Sequence, residues 1–172
     1  MKLAYTDTDS FVIHIETQDI YEDLKQIEDY MDFSDYPTDH PNYNIANKKV
    51  LGKFKDEMNG HIITEFIGLK PKMYAMKVEK GNEQKQAKGV PKNIVKQNMD
   101  FNLYKKTLEE NHVFNVEFNS IRSYRHQLFS ISCSKTGLSN YENKRYYENE
   151  YLSYPHGHYK IPNQSTSSSP CL

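Results

Sequence analysis

Two extended-looking apolar runs, Lys2-Leu3-Ala4-Tyr5 and Phe11-Val12-Ile13-His14-Ile15, stand on either side of the polar tract Thr6-Asp7-Thr8-Asp9-Ser10. Aromatic and β-branched residues favour strands in both runs, and a short polar tract between two strands is where a chain reverses direction. The pattern predicts a β-hairpin with Asp7 and Asp9 at or beside its tip. Side chains two positions apart on an extended chain point the same way, so the two carboxylates are expected to converge. Like charges brought together repel unless a cation compensates. Hard oxygen ligands suit magnesium, which proteins hold with one or two carboxylates plus substrate phosphates. From these residues alone, an acidic turn capped by Thr and Ser is an equal reading. A calcium loop does not fit: counted from Asp7, the fifth position is Phe11, the sixth is Val12 in place of glycine, and the twelfth is Gln18 in place of glutamate.

Strand-like runs and turn signals continue along the chain. Residues 50–57, 62–67 and 72–78 read as strands, with Asn59-Gly60 as a hairpin turn between the first two, so an antiparallel sheet is expected. Ile20, Leu24, Ile27 and Met31 fall at helical spacing and predict a helix over 19–31, capped by Thr17 or Asp19. Residues 32–47, with Pro37, Pro41 and repeated Asp and Asn, read as a loop in which Asp39 and His40 form a solvated turn. The charged segment 79–88 reads as a turn and a subdomain boundary. Helices are expected over 91–98 and 100–111, the second with Phe101, Tyr104 and Leu108 on one face. Paired strands are expected over 113–118 and 127–132, with Arg122, Arg125 and His126 between them, where a basic surface suits either solvent or a sugar-phosphate backbone. The Ser-rich end, 164–172, is expected to be a disordered tail.

Bulk properties narrow the class of protein. The 14 Tyr and 8 Phe, without Trp, fit an apolar surface that is half wet, such as a nucleic-acid groove, and equally a small polar domain. Charge is unevenly spread: residues 1–57 hold 13 Asp or Glu against 6 Lys or Arg, whereas residues 58–172 hold 10 against 16. An acidic half with a metal site joined to a basic half able to track phosphates is a layout suited to a polyanionic substrate. Cys133 and Cys171 lack metal-ligand spacing, so free thiols are expected. No apolar run approaches a membrane span, and a soluble intracellular protein with no membrane partner is expected.

Read as Tyr-x-Asp-Thr-Asp-Ser, residues 5–10 resemble the catalytic palm motif of family B DNA polymerases. The resemblance implies that Asp9 is the direct metal ligand, that Asp7 is more peripheral, and that Tyr5, Thr8 and Ser10 support them. Further features follow in the same order as in that family. Leu51-Gly52-Lys53-Phe54-Lys55-Asp56-Glu57 resembles the palm segment after the catalytic hairpin. Lys72-Met73-Tyr74 resembles the Lys-x-Tyr element that contacts the primer strand, and Lys70 lies beside it. Lys88-Gly89-Val90 resembles the entry to the thumb. Residues 138–146 with 157–161 are similar to the C-terminal end of protein-primed, Polinton-type polymerases. The resemblance thus covers roughly residues 3–162.

It implies an α+β fold, with an antiparallel palm-type sheet and packing helix over 1–86, a small thumb-like α/β subdomain over 87–162, and a tail over 163–172. It also implies Mg2+ as cofactor and primer-template DNA, deoxynucleoside triphosphates and a terminal protein primer as partners. Lys70, Lys72, Tyr74, Arg122 and Arg125 are the expected DNA contacts. The family's upstream catalytic aspartate and its Lys/Asn-Ser-Tyr-Gly nucleotide-binding helix are not found in these 172 residues. Met1 stands just ahead of the motif, so the C-terminal piece of a longer polymerase is expected, inactive alone. A nucleic-acid-binding remnant without catalysis is the competing class. A Tyr-rich interaction protein is a third, which requires the ordered matches to be accidental.

Overall fold

The computed structural model describes residues 1–141, 144–149 and 151–162. The first hairpin forms as its alternation predicts: β1 (Lys2–Asp7) pairs antiparallel with β2 (Ser10–His14), Asp7 facing Ser10 across a two-residue loop of Thr8 and Asp9. Thr8 adopts φ 61°, a left-handed backbone that is strained for a β-branched residue.

Helix α1 (Ile20–Gln26) starts where expected, its Asp19 side chain accepting from the Tyr21 and Glu22 N–H groups. It stops at Gln26 instead of continuing to Met31. Glu28 and Asp29 would place negative charge at the carbonyl end of a longer helix, which the helix dipole disfavours. Asn47 also donates its side-chain amide to the Glu28 and Met31 carbonyls, and a 3₁₀ turn over Glu28–Tyr30 fills the gap.

The expected strand over 50–57 reduces to β4 (Phe54–Lys55), which pairs parallel with β3 (Met31–Asp32), and no hairpin forms at Asn59-Gly60. Asp56 is the physical reason. Its carboxylate accepts from the Met58 N–H at 2.8 Å, the Gly60 N–H at 3.0 Å and the Tyr36 hydroxyl at 2.7 Å, closing a turn in place of a strand ladder.

The central sheet runs β5 (Ile63–Lys70), β6 (Met73–Val78) and β7 (Asn82–Ala87), antiparallel throughout. β7 occupies the segment expected to be a turn. Only Glu79-Lys80-Gly81 turns, with Lys80 and Gly81 at φ 66° and 80°, after which Asn82–Ala87 registers fully on β6. A charged strand with one wet face is typical of a sheet edge, where charge discourages further pairing.

Helices α2 (Lys92–Asn98) and α3 (Phe101–Glu109) cover this sheet. Phe101 and Tyr104 are buried on α3 as predicted, but Thr107 takes the third buried position and Leu108 is exposed. The Thr107 hydroxyl donates to the Leu103 carbonyl, which makes its burial inexpensive. One buried cluster joins Ile67, Met73, Ala75 and Ala87 of the sheet to Val95, Phe101 and Tyr104 of the helices and to Val116 and Leu138 of the next hairpin.

That hairpin, β8 (Phe114–Tyr124) and β9 (Gln127–Leu138), is longer than predicted. Arg122 therefore lies within a strand, and only Arg125 and His126 form the turn, both at positive φ as a type I′ turn requires. A short hairpin, β10 (Arg145–Tyr147) with β11 (Ser153–Pro155), ends the described chain. The expected tail lies outside the described residues. The fold is α+β, with mostly antiparallel sheets and three α-helices among the described residues, none of them long and apolar enough to cross a membrane.

Candidate functional site

The Thr-Asp-Thr-Asp hairpin and the Lys-x-Tyr element meet. Tyr5 on β1 packs its ring 5.1 Å from Tyr74 on β6 and 5.7 Å from Phe66 on β5, centroid to centroid. Its hydroxyl accepts the Lys72 backbone N–H at 2.8 Å, although the two residues are 67 positions apart. The Lys72 ammonium then reaches the Asp7 carboxylate at 3.3 Å. A ring cluster, a hydrogen bond and an ion pair thus join β1 to the corner of the central sheet.

This docking differs from the expectation of one palm-type sheet over 1–86, which would put Lys72 and Tyr74 on the sheet that carries Asp9. The β1–β2 hairpin is a separate two-stranded sheet, and Lys72 lies in the turn between β5 and β6. Pro71 can donate no ladder bond, and Lys72 at φ 61° reverses the chain. The Lys72 carbonyl accepts the Lys88 N–H at 3.0 Å, tying the turn to the end of β7. Tyr74 does sit on β6. Its hydroxyl is held above its ordinary pKa by burial and by the neighbouring Tyr5, Glu57 and Asp7, so it stays protonated and able to donate at neutral pH.

Around Asp7, the Thr8 hydroxyl donates to the carboxylate at 3.4 Å and the Ser10 hydroxyl to the backbone carbonyl at 3.1 Å. Asp9 is exposed in the loop, with no side-chain hydrogen bond or ion pair among the described residues. Strand alternation ends at Asp7, since the positive φ of Thr8 intervenes, and it does not govern the direction of Asp9.

The other predicted residues lie elsewhere. Lys70 ends β5 and donates to the Tyr141 carbonyl at 3.4 Å. Arg122 and Arg125 sit on the outer part of the β8–β9 ribbon. The Arg125 guanidinium lies 5.2 Å from the Tyr124 ring, and among the described residues neither arginine has a hydrogen bond, ion pair or ring contact with Asp7, Lys72 or Tyr74.

Sequence reasoning missed a larger feature. Lys72 opens one end of a groove of about 890 Å³ between β7 and α2, also lined by Lys85, Lys88, Lys92 and Lys96, with Glu83 as its one carboxylate. Glu83 is already paired with Lys85 at 3.4 Å. Gly89 shapes the groove's far wall: it sits at φ 77°, and a Cβ there would meet the Lys135 ammonium, which donates to the Gly89 carbonyl at 2.8 Å. The signal was present in the sequence, because residues 84–99 contain four lysines and no Asp or Glu.

Comparison with protein-family models, with curated proteins and with solved structures finds no match to this chain. Asp7 and Asp9 are hard oxygen donors of the kind that hold magnesium together with phosphate oxygens and water, and they fit that ion in type and number. Among the described residues no group of three or more acidic, His or Cys side chains that could hold a metal ion is found. The arrangement is a cationic groove that ends, through Lys72, at carboxylates.

Proposed function

We propose that this chain is part of a DNA-directed DNA polymerase of the family B type: it contributes the metal-binding hairpin, the primer-strand contact and a thumb-like region, and it is inactive on its own. The observation that carries the reading is the Lys72–Asp7 pair, buttressed by the Tyr5–Tyr74 ring contact. Two short motifs that are weak separately are in contact in space, as a primer end and a metal ion would require.

In this reading Lys72 neutralises a phosphate near the growing primer end, and the protonated Tyr74 hydroxyl donates to the same strand. Lys85, Lys88, Lys92 and Lys96 follow the backbone away from the site. Asp9 and Asp7 would hold Mg2+, which when bound would stabilise charge on the phosphoryl oxygens during nucleotidyl transfer. Asp7, which pairs with the Lys72 ammonium, would also serve as a ligand to that ion. Arg122 and Arg125, on the projecting ribbon, contact the duplex further along. Deoxynucleoside triphosphate and a terminal protein primer belong to the complete enzyme. Positioning is most of what such enzymes contribute, and no segment of this chain matches the family's triphosphate-binding helix.

The test is primer extension by the purified chain with Mg2+ and all four nucleotides. The reading predicts binding of primer-template without extension. Template-dependent extension that is abolished by Asp9→Ala would show a complete active site and overturn the claim of inactivity. A non-catalytic remnant would bind DNA equally well but would give no extension even when the missing palm residues are supplied on a second polypeptide.

A further inference from the structure

The last hairpin plays no part in the reading above, yet it reaches the same neighbourhood. Tyr147 on β10 lines a cavity of about 730 Å³ together with Tyr5 and Thr6 of β1 and Phe66, Gly68 and Lys70 of β5. Three aromatic side chains from three distant stretches wall this space, whose lining carries one ammonium and no carboxylate. Gly68 keeps it open, since a Cβ there would lie 3.2 Å from the Phe66 ring and 3.8 Å from the Tyr5 ring. Lys70 is half-buried, lines the same cavity, and donates from its ammonium to the Tyr141 carbonyl at 3.4 Å.

A purely apolar ligand would gain nothing from that ammonium, and a free phosphate would gain nothing from the rings. A nucleotide within a strand uses both, because its base offers a flat face for stacking and its phosphates lie one backbone unit away. We propose that this cavity takes one nucleobase of single-stranded DNA, stacked against Tyr147, with a flanking phosphate on Lys70. The inference rests on the polymerase reading, in which an unpaired strand passes beside the Asp7–Lys72 site. It gives the C-terminal hairpin a role: Tyr147 closes a base pocket whose other walls belong to β1 and β5. Tyr147 is 58% exposed, so its ring has free surface to offer.

The test uses a short oligodeoxythymidine carrying one 2-aminopurine, whose fluorescence falls when it stacks, titrated with the full chain at low salt. Wild type should quench the probe. Tyr147→Phe should retain both quenching and affinity, whereas Tyr147→Ala should lose the quenching and bind about tenfold more weakly, the effect of one base-aromatic stack. Lys70→Ala should keep the quenching and lower the salt slope by about 0.7, the value for one phosphate of a single strand. Tyr147→Ala behaving like wild type, or Tyr147→Phe failing as badly as Ala, would overturn the inference. Duplex binding is measured in parallel. Duplex binding without any probe quenching overturns this inference alone, and loss of both overturns the polymerase reading with it.

Discussion

The Lys72 ammonium stands 3.3 Å from the Asp7 carboxylate, while the backbone N–H of the same lysine donates to Tyr5, two residues before Asp7. One turn residue therefore grips the hairpin twice, once through its main chain and once through its charge. The two grips differ in consequence. The ion pair is about half exposed, and such pairs contribute roughly 0–1 kcal/mol after solvent screening. The hydrogen bond to Tyr5 is the positional constraint.

Lys72→Ala is accordingly expected to leave thermal stability within about 1 kcal/mol of wild type, because the alanine keeps the N–H that Tyr5 accepts. Tyr5→Phe removes the acceptor while keeping the ring contacts, and should cost about 0.5–1.5 kcal/mol. Denaturant melts of the two variants check this. A larger loss from Lys72→Ala than from Tyr5→Phe would mean that the charge, and not the main chain, holds the hairpin.

Thr8 offers a second check at the same tip. Its φ of 61° costs a β-branched residue about 1–2 kcal/mol that glycine does not incur. Thr8→Gly should therefore stabilise the fold by up to about 1 kcal/mol, after allowing for the greater freedom of glycine in the unfolded chain. It should also weaken metal binding, since a looser tip no longer fixes Asp7 and Asp9. Melting curves and Mn2+ titration measure the two effects. Destabilisation by Thr8→Gly would show that the Thr8 hydroxyl bond to Asp7 outweighs the backbone strain.

Asp32 contributes to acid sensitivity. Burial pushes its carboxyl pKa up, but hydrogen bonds from Ser34 and from the Lys49 N–H, with the Lys55 charge nearby, outweigh this and hold it below the ordinary value. A carboxyl depressed in the folded state contributes stability above its unfolded pKa of about 3.9, and loses it as pH falls through the folded value. Stability measured from neutral pH downward should therefore fall more steeply below about pH 4 in wild type than in Asp32→Asn. Parallel acid profiles would contradict the assignment.

How much of this was legible in the sequence depends on how local each determinant is. The β1–β2 hairpin, the Asp19 cap and the shared face of Phe101 and Tyr104 follow from spacing within a few residues, and they formed as read. The segment around Phe54 was misread because Asp56 spends its carboxylate on backbone N–H groups, a competition that strand propensity does not register. β7 was misread because an edge strand needs few apolar residues when its neighbour supplies the ladder. Asp7, Lys72 and Tyr74 were each visible in the sequence, but their contact depends on how β1 docks against the β5–β6 turn. The lysines of the β7–α2 groove converge only because the chain folds back at Gly89, and Tyr147 comes to line one cavity with Tyr5 only through the last hairpin.

The central claim is that the groove from Lys72 to Lys96 carries a DNA strand to the Asp7–Asp9 hairpin. The measurement that tests it most directly is the affinity of the purified chain for primer-template DNA as a function of salt, for wild type, Lys72→Ala, and Lys88→Ala combined with Lys92→Ala. Each phosphate neutralised on duplex DNA adds about 0.9 to the slope of log affinity against log salt. The account predicts measurable binding at low salt, a slope lower by about one unit in Lys72→Ala and by about two in the double variant, and unchanged or slightly tighter binding in Asp9→Ala. Absence of binding at low salt, or a slope that none of the lysine substitutions changes, would contradict it.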